Sequence, residues 1–246
     1  MQLQPLGTEH ASSPRWLRLL GPTAFAAVVL AQGIALVTSP PDRDMGHRQK
    51  IMYVHVPVAW MAFISFFVVL VASVSYLWRE REEDDALAAA AAEVGAMFTA
   101  LTLVLGSLWG RPTWGVWWTW DARLTSTAVL LVIFVSYLAL RAFTDDPERR
   151  ARWSAAVGIL GALNVPVVYM SVKWWRSLHQ MQSTPSTLDP AYMHGLRLNA
   201  IAFLLLTRYF IGRRVHASTL ERQVAARDEA LALGRPTTDT PEVAHV

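Results

Sequence analysis

Val56-Pro-Val-Ala-Trp-Met-Ala-Phe-Ile-Ser-Phe-Phe-Val-Val-Leu-Val-Ala-Ser-Val-Ser-Tyr-Leu77 runs for 22 residues without a charged side chain. A bilayer's hydrocarbon core is about 30 Å thick, and a helix rising ~1.5 Å per residue crosses it in about 20 apolar residues. In that medium every backbone N–H and C=O must be satisfied within the segment, so the stretch reads as a spanning helix. Further apolar runs lie at 19–37, 92–109, 124–140, 155–172 and 198–211. Together they predict an all-α integral membrane protein with six transmembrane helices. The composition agrees: 53% of the 246 residues are hydrophobic, 17% are charged, and the mean hydropathy is +0.28.

The first run exceeds the ~7–15 residues of a signal-peptide core, so it reads as a retained helix. The sixth is the shortest and carries Arg208 at its inner end, from where a long side chain reaches the headgroups. Fourteen Lys and Arg accompany the two termini and the segments at 79–81 and 141–152, against eight on the opposite side. The positive-inside rule then puts both termini in the cytoplasm. The expected organisation is a cytoplasmic segment at 1–18, a membrane domain at 19–211 and a cytoplasmic tail at 212–246. The tail is polar and compatible with a helix, with a disorder-like composition from Gly234.

The chain has no Cys. This excludes disulfides, thiolate-bound zinc, iron–sulfur clusters and haem held through the chain's own thioethers. The net charge of +3 is too small to suggest nucleic acid. There is no internal repeat, Walker motif or GxGxxG-like loop.

Eleven Trp are the unusual number. Trp16, Trp78 and Trp153 sit singly at inner helix ends, as an aromatic belt requires. The other eight lie outward, five of them within 109–120. A belt would load both faces alike. Gly110, Pro112 and Gly115 are expected to break the third helix and turn the chain. If the chain is helical from Trp114, then Trp114, Trp117 and Trp118 share one face and form a flat aromatic shelf. Such a shelf suits a large planar ligand, with Asp121 and Arg123 at its edge; a partner-docking or lipid-anchoring loop is the alternative.

Of seven His, His10, His216 and His245 lie in the tails, and His47 and His194 in outer loops without helical framing. His55 precedes Pro57, which marks the first turn of the second span. A helix N-terminus disfavours a cation there, which leaves an imidazole lone pair for a metal. His179 follows the fifth span. A lone His is most often a core residue, but here two flank the Trp-rich loop in sequence on one membrane face. Two neutral imidazoles and an aromatic cover are what a bis-His haem site requires, with Arg48, Lys50, Arg111, Arg123 or Arg176 to meet the propionates. With both axial positions filled there is no open place for oxygen, which suits a carrier.

The stretch Trp109-Gly-Arg-Pro-Thr-Trp-Gly-Val-Trp-Trp-Thr-Trp-Asp-Ala-Arg-Leu-Thr-Ser126 resembles the WWD signature of haem-handling membrane proteins. Its ending from Asp121, together with His55-Val-Pro57 and Asn164-Val-Pro166…Ser171-Val-Lys-Trp-Trp-Arg-Ser-Leu-His179-Gln180, is similar to the CcmC family of cytochrome c maturation. The resemblance spans about residues 21–210. One departure is Met181, where the family pattern leads one to expect Gly.

The resemblance implies a protein of the bacterial cytoplasmic membrane that binds haem b non-covalently on its outer face. It implies delivery of that haem to the chaperone CcmE, beside the ABC transporter subunits CcmA and CcmB and the small protein CcmD. It implies His55 and His179 as axial ligands. It also implies that Trp114, Trp117, Trp118, Trp120, Asp121 and Arg123 position haem and contact the chaperone. The role is binding and transfer rather than enzymatic, apart from holding the haem vinyl near the chaperone's His. Asn164 reads as compensation for the carbonyl freed by Pro166 rather than as a haem contact. The alternative function is a b-type electron-transfer subunit, which would place paired His within helices. A transporter would need an ionisable path through the spans.

Overall fold

A computed structural model describes residues 13–179, 186 and 188–234. The Met181 departure, His10, His245 and the tail from 235 onward lie outside the described residues. All described regular structure is helical: α1 (Arg15–Thr38), a 3-10 helix (His47–Ile51), α2 (Met52–Arg79), α3 (Glu82–Trp114), α4 (Ala122–Phe143), α5 (Pro147–Ala162), α6 (Asn164–Trp174) and α7 (Pro190–Ala232). Six stretches are long and apolar enough to cross a membrane, α5 and α6 together forming the fifth. The all-α, six-span expectation therefore holds.

The helix ends follow local chemistry. Four acidic residues, Glu82 to Asp85, fill the first turn of α3, where the helix dipole favours negative charge. Asp121, Asp146 and Asp189 cap α4, α5 and α7 through their side chains. Pro147 and Pro190 occupy first helical positions, where a missing N–H costs nothing.

Several boundaries differ from expectation. Gly110 and Pro112 do not break α3, which continues to Trp114. Pro112 removes one internal donor, but the helix ends only at Gly115, whose φ of 81° gives the left-handed turn most side chains resist. The residues from Gly115 to Asp121 are not helical, so the premise of a helical Trp shelf is not met. The fifth span is interrupted at Leu163, between α5 and α6. Asn164 does not serve its own helix: its Nδ2 donates to the Ser126 carbonyl on α4 at 3.0 Å. The sixth span is the longest helix, 43 residues, or roughly 65 Å at ~1.5 Å per residue. An apolar window sees only its lipid-facing part.

The core centres on Phe66 and Phe134, stacked at 3.6 Å between α2 and α4. Val69, Ala91, Ala92, Leu130, Tyr137 and Val168 complete it. At the end of the bundle where α3 starts and α4 stops, charges tie the helices together. Arg141 grips both carboxylate oxygens of Asp85 at 2.6 and 2.8 Å, Arg214 meets Glu93 at 2.6 Å, and Arg152 meets Glu80 at 2.7 Å. Arg208 lies over the Trp16 ring at 5.3 Å, a cation–π contact that gives the side chain an apolar neighbour.

The other end holds the starts of α2, α4 and α7 and the close of α1, α3 and α6. Here the Asn199 amide on α7 donates to the carbonyls of Ala31 on α1 and Gly195 at 3.2 and 2.9 Å. Its Oδ1 accepts from Gln32 Nε2 at 2.7 Å. Such bonds supply between apolar helices the attraction that lipid does not.

Candidate functional site

A cavity of about 300 Å³ opens between α2, α3, α4 and α6 at this second end. That is at the lower end of the ~300–1,000 Å³ typical of ligand pockets. His55, Trp60 and Phe63 line it from α2; Thr99, Thr102, Gly106, Trp109, Thr113 and Trp114 from α3; Arg123, Leu124 and Thr127 from α4; Val168 and Tyr169 from α6. His179 lines it from the segment beyond α6.

His55 is the fourth residue of α2, which starts at Met52, so Pro57 lies in the second turn rather than the first. Pro57 has no N–H for the Tyr53 carbonyl. Gln32 Nε2 donates to that carbonyl instead, at 3.0 Å. The His55 side chain is 6% exposed and meets Trp109 edge-on, ring centroids 5.7 Å apart. Its Nδ1 is buried with no hydrogen-bond partner among the described residues. Gly106 makes room for the ring: a Cβ there would lie 3.2 Å from His55 Cε1.

His179 is half-buried on a non-helical segment, with the Trp114 ring 6.1 Å from its own. Its backbone N–H donates to Ser177 Oγ at 2.9 Å, and the Ser177 hydroxyl donates to Asp121 Oδ2 at 2.9 Å. Asp121 Oδ1 accepts from the Leu124 N–H at 2.8 Å, capping α4.

The expected site residues therefore separate. His55, His179, Trp114 and Arg123 line one cavity. Trp117 and Trp120 are 58% and 81% exposed, and Trp118 meets Trp120 edge-on at 5.5 Å. Asp121 and these three Trp do not line the cavity. Of the five candidate cations, Arg123 alone lines it. Arg123 donates to the Tyr169 carbonyl at 3.4 Å, and its Nε is buried with no partner among the described residues. Arg48 turns to the Pro112 carbonyl at 3.4 Å, Lys50 to that of Leu36 at 2.6 Å, and Arg111 to that of Gly115.

Gly106, Trp60, Tyr169 and Ser177 were not foreseen. For Gly106 a signal exists. Thr99, Thr102, Gly106, Trp109 and Thr113 recur at helical spacing and form one stripe on α3. Among the described residues no cluster of three or more His, Asp or Glu is placed to hold a bare metal ion. Two imidazoles on one cavity instead suit an iron that arrives with most of its ligands already in place.

The family model for CcmC, described as heme exporter protein C, matches residues 6–230. Heme exporter protein C of Bradyrhizobium diazoefficiens is 43% identical over 207 residues, covering 80% of this chain and 78% of that one. Heme exporter protein C of Escherichia coli strain K12 is 39% identical over 171 residues, 69% of each chain. A cytochrome c biosynthesis ccmC-like mitochondrial protein of Marchantia polymorpha is 33% identical over 209 residues, 80% of this chain and 89% of that one.

Proposed function

The chain belongs to the CcmC, or heme exporter protein C, family of haem trafficking for cytochrome c maturation, and from that membership we propose that it holds haem b reversibly and non-covalently and passes it to the chaperone CcmE. The observation that carries the reading is the meeting of His55 and His179 on one aromatic-walled cavity, from positions 124 residues apart in sequence. In this reading the two imidazoles take the axial positions of the haem iron, and Trp109 and Trp114 pack against the bound group. Arg123 meets a propionate; its buried Nε, without a partner among the described residues, supports that role.

The exposed Trp117 and Trp120, with Trp118 beside them, form the part of the loop that the chaperone meets. Asp121 belongs to the same loop. The protein acts by binding and positioning, with no acid–base step of its own. It works at the outer face of a bacterial cytoplasmic membrane, in company with CcmA, CcmB and CcmD. Both termini and the tail at 212–246 are cytoplasmic.

The test is the haem spectrum of the protein purified with its chaperone, compared with His55→Ala and His179→Ala. Each substitution is expected to abolish the six-coordinate low-spin form. Retention of that form in both would overturn the axial assignment.

A further inference from the structure

We infer that Asp121 is a positioning residue for His179, acting through the Ser177 hydroxyl rather than by contact with haem. The inference rests on the proposed axial role of His179.

His179 lies beyond the last residue of α6, Trp174, so no helical ladder fixes its backbone. Its N–H is held by Ser177 Oγ at 2.9 Å. A serine hydroxyl can accept one hydrogen bond while donating another. Ser177 does both, donating to Asp121 Oδ2 at 2.9 Å. Acceptance by a carboxylate makes this bond stronger than one between neutral groups. The other Asp121 oxygen takes the Leu124 N–H at 2.8 Å and so is anchored to the first turn of α4.

Asp121 does not line the cavity, whereas Leu124 and His179 both do. One carboxylate thus joins α4, the end of the Trp-rich loop and the candidate ligand segment. Two hydrogen bonds set where His179 stands relative to the α4 wall. The simpler role for Asp121 is the helix cap alone. The Ser177 bond distinguishes the two, because it contributes nothing to the cap.

The experiment uses the full chain in detergent, loaded with haem. It reads the low-spin fraction by absorption, the axial-ligand signature by electron paramagnetic resonance, and haem loss to apomyoglobin. Ser177→Thr retains the hydroxyl and Ser177→Val, of equal shape, removes it. Ser177→Thr is expected to keep the wild-type signature and rate. Ser177→Val is expected to broaden the signature and speed haem loss about three- to tenfold, within the usual weight of the two hydrogen bonds it removes. Adding Ser177→Val to Asp121→Ala should change less than Ser177→Val does alone, because the anchor of that hydroxyl is already lost. Ser177→Ala repeats the comparison without added bulk if Ser177→Val shifts thermal unfolding.

Equal behaviour of the Thr and Val variants, or additive effects in the double variant, would overturn the inference. The His179→Ala spectrum separates the two failures. If it stays low-spin, the axial reading falls. If it changes while the Thr and Val variants match, only the positioning role falls.

Discussion

Gln32 on α1 donates its side-chain amide to the backbone carbonyl of Tyr53 on α2, the acceptor that Pro57 leaves without a helical donor. The bond is 3.0 Å long and sits two residues before His55. Gln32→Ala should cost about 1–3 kcal/mol, the usual penalty for orphaning a buried polar group. Pro57→Ala restores an N–H at that place, so the Gln32→Ala loss should shrink in its presence. Thermal unfolding of the two single variants and the double variant measures the difference. Equal losses in both backgrounds would show that Gln32 acts only through Asn199.

Gly106 lets α3 approach the His55 ring closely. In Gly106→Ala the new methyl would stand 3.2 Å from His55 Cε1, against a ring already packed on Trp109. Overpacking of this kind costs about 1–3 kcal/mol. The expected result is a folded protein with a reduced low-spin haem fraction. Unchanged haem binding would show that the ring has room to move.

Arg123 offers a guanidinium to the cavity with one buried nitrogen that has no partner among the described residues. Arg123→Gln should weaken haem binding roughly 10- to 100-fold, as expected for a lost hydrogen bond to a charged group. Haem dimethyl ester separates the causes, because it carries no free carboxylates. The wild type should prefer haem over the ester, and Arg123→Gln should bind both alike. A preserved preference would move the propionate to another residue.

Arg141 and Asp85 form a two-pronged pair between α4 and α3, with both side chains mostly covered. Breaking such a pair from one side leaves a covered charge behind and costs about 3–5 kcal/mol. Arg141→Met alone should therefore destabilise strongly, and Arg141→Met with Asp85→Leu much less. Denaturation midpoints of the two variants decide it.

The six spans were legible because the bilayer imposes one rule on composition, and a run such as 56–77 has no other reading. Trp16, Trp78 and Trp153, read as single residues at helix ends, are all exposed. The course of the chain after Trp109 was not legible. Pro112 weighs heavily in a local rule, yet α3 absorbs the loss of one donor, and only Gly115 supplies the left-handed turn that stops it. The Trp-rich stretch therefore divides between cavity and surface instead of forming a shelf. His55 and His179 could be named as candidates from their flanks, but their shared cavity depends on how α2, α3, α4 and α6 pack. Ser177 carries no sequence signal, since a loop serine is ordinary until its two partners are seen.

Three charged pairs, Arg141–Asp85, Arg152–Glu80 and Arg214–Glu93, cross-link helices at one end of the bundle, while at the other the chain leaves helix at 115–121 and 175–179 around the cavity. The molecule is clamped at its base and irregular at its mouth. Thermal breathing should follow that gradient, since local opening is easiest where packing contacts are fewest. Backbone deuterium uptake around Trp114 and His179 should then outpace that around Asp85 and Tyr137, so the mouth can flex around an incoming guest while the base holds the helices in register.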